Sequence, residues 1–257
     1  MKAALSALFI REWAALSASR VVWIFAGACL LAGFGVVLGA DEADSAVWMA
    51  LPLLLYLVPL LGLLAGVSAA LGDLEEAPML VPRTPGPFVR SCVKWPLWSG
   101  LIALVALAWL APAAIRSGEA DKLLQLWAMT AGEAAIFVAI GLALGRWVPG
   151  GGTSAYLTAL FFGFLFIGGA GVLGWVAARS PFFQENPQLW TFGLMAHPVE
   201  ALRVGLMFSL DTLPVDAERL PAIARWWLAH AGLWYAALVL AWSTLALALG
   251  AFAREKV

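Results

Sequence analysis

The sequence predicts an all-α, polytopic membrane protein with six transmembrane helices, an N-terminal interfacial helix and an outer re-entrant helical pair before the last span. Three observations lead there. Hydrophobic residues fill 63% of the 257 positions and charged residues only 12%, with a mean hydropathy of +0.91. A soluble domain carries about 25% charged residues, so the solvent this chain is built for is lipid. The apolar residues fall in long runs, and a run of about 20 crosses the roughly 30 Å hydrocarbon layer as a helix. Finally, the bases gather at alternate joints between the runs, which fixes an orientation.

Taken in order, residues 1–20 are too interrupted to span. Leu5, Leu8, Phe9, Trp13 and Leu16 recur at helical spacing while Lys2, Ser6, Arg11 and Ser17 take other faces. That pattern predicts an elbow helix lying in the headgroup layer. Arg11 and Glu12 break what would be the apolar core of a leader, so no cleavable signal is expected and 1–257 reads as a single membrane domain. Spans are placed near 21–40, 47–71, 95–115, 123–145, 155–176 and 227–252. Pro52 and Pro59 stand seven apart in the second span and are expected to bend it. Many of the 14 tryptophans stand at span ends, as in any aromatic belt. Lys2, Arg11, Arg20, Arg83, Arg90, Lys94, Arg146, Arg254 and Lys256 fall on one side, which puts both termini and the 72–94 joint in the cytoplasm.

The 72–94 joint reads GDLEEAPMLVPRTPGPFVRSCVK, acids first, then prolines, then bases. Residues 177–226 form the other unusual segment, too long for a simple connection and too apolar for a free loop. A short apolar run, Trp190 to Ala196, ends at His197-Pro198, and Pro198 suits the first turn of a second helix running toward Asp211. Glu200 and Arg203 then share a face, three apart. Neither half is long enough to cross. The reading is a pair dipping in from outside, with one amphipathic helix on the outer surface as the alternative.

Several chemistries are excluded or unsupported. A net charge of −1 and pI near 6.1 offer no basic surface to nucleic acid. Cys29 and Cys92 make neither a disulfide framework nor a metal cluster. No P-loop, H-E-x-x-H, C-x-x-C or G-x-S-x-G is present, and PGGGT at 149–153 is a turn. His197 and His230 have no Cys or acid at ligand spacing, so no metal is expected. Glu133 is the exception among the spans, placed midway along the fourth, where an ionised carboxylate is costly. It faces a substrate or proton path, or it is protonated and bonded to a neighbouring helix or second subunit. An intramembrane enzyme built on Glu133 and a histidine would lack the accompanying nucleophile or metal set.

With these residues in view, the chain resembles the permease subunits of ABC-2-type transporters, with the permeases of nitrous-oxide-reductase maturation transporters as the nearest likeness. The layout is similar over the whole length, and two stretches are motif-like, the 72–94 joint and MAHPVEALRVGL at 195–206. His197 stands where the family commonly has Asn, Ala77-Pro78 replaces a Gly-Thr step, and Val93 precedes Lys94 where Gly is frequent. The resemblance implies a permease with no ATPase site or cofactor of its own, ATP and Mg being held by a separate ABC ATPase subunit. Asp73, Glu75, Glu76, Pro82, Arg83, Pro85 and Arg90 would form the cytoplasmic coupling segment seated on that subunit. His197, Pro198, Glu200 and Arg203 would form an outer gate. A second permease copy, as a homodimer, in a bacterial inner membrane would complete the transporter. The alternative function is a non-transport mechanotransmitter that passes ATP-driven movement to an extracytoplasmic partner protein.

Overall fold

The computed structural model describes residues 2–18, 20–39, 43–76, 86–117, 120–148, 152–209 and 220–253, with some helix side chains, Glu75 and Glu76 among them, left out. The described residues are almost entirely helical, with no strand. In chain order the helices are α1 Lys2–Ala18, α2 Arg20–Gly39, α3 Ala43–Glu76, α4 Pro87–Ser117, α5 Ala120–Trp147, α6 Gly152–Arg179, α7 Pro181–Glu185, α8 Pro187–Ala196, α9 Pro198–Ser209, α10 Ala222–Ala229 and α11 Ala231–Ala251. Among the described residues, five are long and apolar enough to cross a membrane, through Leu54–Asp73, Pro87–Pro112, Asp121–Trp147, Gly152–Ala177 and Ala231–Ala251. The expected first span, 21–40, forms the 20-residue helix α2.

α5 is the axis of the bundle and packs against α3, α4 and α11. Its contact with α3 is a seam of small residues, which lets two backbones approach closely where the surrounding lipid supplies no hydrophobic drive. Gly66 on α3 faces Gly141 on α5, with Gly62 against Phe137 and Gly145 against Ala70. A methyl group on Gly66 would come within 2.4 Å of the Val138 carbonyl oxygen, and one on Gly141 within 2.3 Å of the Leu63 carbonyl oxygen. Contacts rise together in number along both helices, from Gly62 with Phe137 to Ala70 with Gly145, so α3 and α5 run parallel. α11 runs the same way, with Tyr235 against Gly132 and Gly250 against Ala143. α4 runs opposite, pinned to α5 by two indole bonds: Trp95 Nε1 donates to the Ala135 carbonyl and Trp127 Nε1 to the Ala103 carbonyl, both at 2.8 Å. α6 is peripheral and antiparallel to α3, with Gly163 against Leu60 and Gly152 near Leu71.

Several boundaries depart from the sequence reading. The 72–94 joint is mostly helix. α3 continues through Gly72 to Glu76, and α4 starts at Pro87, where the missing N–H costs nothing. Asp73 therefore sits on the last turn of one helix, and Arg90 and Lys94 on the first two turns of the next. Pro82, Arg83 and Pro85 lie outside the described residues. The last expected span, 227–252, is two helices parted at His230, whose ring Nδ1 lies 2.9 Å from the Trp226 carbonyl. α3 is a single helix through Pro52 and Pro59.

On α1, Glu12 and Leu16 are buried against the protein, while Phe9, Ile10 and Trp13 are exposed.

Candidate functional site

Two polar constructions interrupt the apolar bundle, one at the C-terminal end of α5 and one at the break between α8 and α9, and α5 carries a further buried acid. The first stands where α3 and α5 end and α4 begins. Lys94 and Asp73 form an ion pair at 2.8 Å, with both side chains almost wholly buried. The second Asp73 oxygen meets Arg146, on the last turn of α5, at 3.3 Å. Lys94 also approaches Glu12 of α1 at 3.5 Å and donates to the Ala69 carbonyl at 2.9 Å. An ammonium has three donors, and these three acceptors surround it. Glu12 is held in turn by Arg11 at 2.8 Å.

This network joins α1, α3, α4 and α5. Asp73 bridges two cations, so each charge that leaves water gains a partner, the condition for burying charge without a prohibitive loss. Asp73 and Arg90, expected on a docking face, are both buried. Burial of Asp73 follows from helix continuation, because the last turn of α3 carries it inward onto Lys94 and Arg146. The backbone of Glu75 and Glu76 completes that turn. In the sequence Lys94 closes the 72–94 joint, and Glu12 and Arg146 carry no site role there. Arg146 lies in the last turn of α5, where a base complements the helix dipole, a signal visible in the sequence.

The second construction is the break between α8 and α9. Pro198 has no N–H and ends α8, and a terminating helix leaves its last carbonyls and the next helix's first N–H groups unpaired. Three of these groups are satisfied here by side chains. His197 Nδ1 accepts from the Glu200 backbone N–H at 3.3 Å, an N-cap made by imidazole in place of an Asn or Asp oxygen. Trp234 Nε1 donates to the Met195 carbonyl at 2.9 Å, and Trp242 Nε1 donates to the Ala196 carbonyl at 3.0 Å. Both indoles come from α11, so the break is seated on that helix. The His197 ring also stacks on Phe166 of α6, with centroids 4.6 Å apart. Glu200 is buried and accepts from the Arg203 guanidinium, at 3.0 Å for Nε and through a second nitrogen, while Arg203 keeps a partly exposed side chain.

Burial pushes the His197 imidazole below its ordinary value of 6.5, against the opposing pull of Glu200 and a backbone hydrogen bond with Phe166. A neutral ring is what the cap requires, because protonation would occupy the Nδ1 lone pair. Val199, Leu202 and Leu206 are almost fully buried, and Gly205 lies near Met129 of α5 and Ala231 of α11. α9 is thus packed inside the bundle.

Glu133 lies midway along α5. It is fully buried, and neither carboxylate oxygen has a hydrogen-bond partner among the described residues. No group of three or more metal-ligating side chains occurs among the described residues. The chain matches no protein-family model and no curated protein sequence.

Proposed function

We propose that this chain is the membrane-spanning permease subunit of an ATP-binding-cassette transporter, which couples ATP hydrolysis on a separate subunit to movement of a substrate. The observation that carries the reading is the Glu12–Lys94–Asp73–Arg146 network. Residues 77–86 connect α3 to α4 at this end. The network makes the ends of α3, α4 and α5, with α1, one mechanically connected body. A force applied to the connecting segment by a partner is then shared by three helices and not absorbed by loop motion.

In this reading Glu75, Glu76, Pro82, Arg83 and Pro85 contact the ATPase, while Asp73 and Arg90 act from inside as the footing of the segment. α2 is the sixth span, the ion-paired end is cytoplasmic, and α8–α9 form the outer re-entrant pair whose capped break serves as the gate. A second copy of the chain completes the pathway. Backbone that leaves helical pairing at membrane depth must find partners within the protein, and the His197, Trp234 and Trp242 bonds meet that need.

A second reading has an observation of its own. Phe182, Leu189 and Phe192 on α7 and α8 are exposed. In a mechanotransmitter that face would take an extracytoplasmic partner, and no substrate would cross. Purification of the full chain from its native membrane tests the proposal. An ATPase subunit should accompany it, and the Asp73→Asn variant should keep the ATPase bound while losing ATP-driven activity. Purification without any ATPase would reject both readings. ATP-dependent accumulation of a solute in sealed vesicles separates transport from force transmission.

A further inference from the structure

Glu133 lies 13 residues before Arg146 and 12 after Asp121 on one helix, which is roughly 20 Å from either at 1.5 Å per residue. Its surroundings are apolar: Phe137, Ala134 and Ile136 on the same helix are fully buried. The neighbouring Gly132 has no side chain, and the Tyr235 ring of α11 fills that space; a methyl group on Gly132 would lie 3.0 Å from Tyr235 Cε1. The phenol is also buried, and its hydroxyl likewise has no partner among the described residues. A fully buried carboxyl, next in sequence to the glycine against which the Tyr235 ring packs, and a fully buried phenol therefore both keep unused hydrogen-bonding capacity at the α5–α11 contact.

No described cation is hydrogen-bonded to either group. The described titratable groups on the helices packed around α5 are Tyr56 and Asp73 on α3; Arg90, Cys92 and Lys94 on α4; Tyr156 and Arg179 on α6; and Glu200 and Arg203 on α9, with Asp121, Lys122 and Arg146 on α5 itself. Asp73 pairs with Lys94, and Glu200 with Arg203. An isolated ionised carboxylate in such a place is far more costly than a neutral acid. A neutral acid has one O–H to donate, and a phenol is both acceptor and donor.

We propose that Glu133 and Tyr235 form an intramembrane proton-binding site, in which Glu133 carries its proton at neutral pH and is linked to the Tyr235 hydroxyl through one enclosed water. Releasing that proton requires water to enter the α5–α11 contact. The site therefore holds its proton while α11 is seated and gives it up when α11 moves away. This inference does not depend on the coupling reading.

The test uses the full-length protein in membrane vesicles and an apolar carbodiimide, dicyclohexylcarbodiimide. The acid adds across one C=N bond of the reagent, its oxygen bonding to carbon and its proton passing to nitrogen, and the O-acylisourea then transfers its acyl group from oxygen to nitrogen to give a stable N-acylurea, which is located by mass spectrometry. Labelling of Glu133 should persist at pH 8 at no less than half its extent at pH 6, and a water-soluble carbodiimide should label it at least tenfold less. The protein's infrared spectrum at pH 7 should also show the carbonyl band of a protonated acid. That band should vanish in Glu133→Gln and shift in Tyr235→Phe, which keeps the ring and its packing. Absence of the band in the parent protein overturns the proposal, as does labelling that collapses between pH 4 and 6 like that of an exposed carboxylate. Protection by sodium chloride but not by choline chloride at equal ionic strength also overturns it, because the site would then hold a metal cation.

Discussion

Asp73 stands between Lys94 at 2.8 Å and Arg146 at 3.3 Å, so one carboxylate holds the ends of α4 and α5 to the end of α3. Removing one member of a buried ionic cluster costs more than removing the cluster, because the surviving charges are left uncompensated.

Asp73→Asn should therefore destabilise the protein by about 3 kcal/mol or more, read as a lower thermal midpoint in detergent. Lys94→Gln should cost less, since Arg146 still neutralises Asp73. Adding Lys94→Gln to Asp73→Asn should recover part of the loss. A double variant that simply sums the two losses would show that the three groups are not coupled.

The α3–α5 seam gives a prediction with its own control. A methyl group on Gly66 would meet backbone, which has nowhere to go, so Gly66→Ala should cost about 1–3 kcal/mol by forcing two helices apart. A methyl group on Gly100, within α4, meets nothing within 4 Å. Gly100→Ala should be neutral or stabilising by up to about 1 kcal/mol through helix propensity. Equal effects from the two changes would deny the close approach of α3 and α5.

The helices and the break at His197-Pro198 were legible in the sequence because each has a local cause: apolar length in one case, and a residue without an N–H in the other. The same is true of the Glu200–Arg203 pair, set by helical spacing. Pairings between helices were not legible. Nothing in the spacing of Glu12, Asp73, Lys94 and Arg146 tells which helix ends meet, and the position of Asp73 near a run of prolines suggested a loop. The glycine seam did carry a signal, since Gly62-x-x-x-Gly66 and Gly141-x-x-x-Gly145 are both small-residue repeats of the kind that bring membrane helices together. Trp234 and Trp242 looked like ordinary membrane tryptophans. Their capping of α8 depends on where α11 lies, which only the assembled bundle defines.

His197 predicts a pH dependence. Burial lowers its pKa from 6.5 in the folded state, so as pH falls the unfolded chain takes up the proton first. The effect is absent above about pH 6.5, grows as pH falls, and levels off once the folded ring is also protonated. Within that window one proton costs up to about 1.4 kcal/mol of stability per pH unit. His197→Asn keeps an acceptor for the Glu200 N–H but cannot titrate. Its thermal midpoint should fall less than the parent's between pH 7 and 5, and parallel curves would remove His197 as the source.

Orientation is tested by cysteine access. Cysteines placed at Ser17, Thr84 and Lys256 should resist a membrane-impermeant thiol reagent added to intact cells, and those at Asp44, Ser117 and Asp216 should react. Reaction at position 84 would invert the proposed topology and place the ion-paired end outside.

The coupling segment gives the last test, and in the proposed reading its residues fall into two classes. Asp73 and Arg90 are inside the protein, so changing them tests the footing and not the contact. Glu75 and Glu76 precede the 77–85 connection and, in the proposed reading, face the ATPase. Charges at the rim of an interface are worth about 1 kcal/mol or less each and are screened by salt. Reversing both to Lys should therefore weaken ATPase binding by roughly tenfold at low salt, with a smaller loss at moderate salt. Transport per ATP should fall in step, because orientation depends on charge complementarity more than affinity does. The thermal midpoint should stay within about 1 °C of the parent, since a 1 kcal/mol change moves a domain of this size by roughly 2–4 °C and exposed charges contribute less. Asp73→Asn should show the opposite pattern, a lower midpoint with ATPase binding retained. Unchanged binding in the Glu75→Lys, Glu76→Lys variant at both salt concentrations would take these acids out of the contact, and the footing beneath them would then serve stability alone.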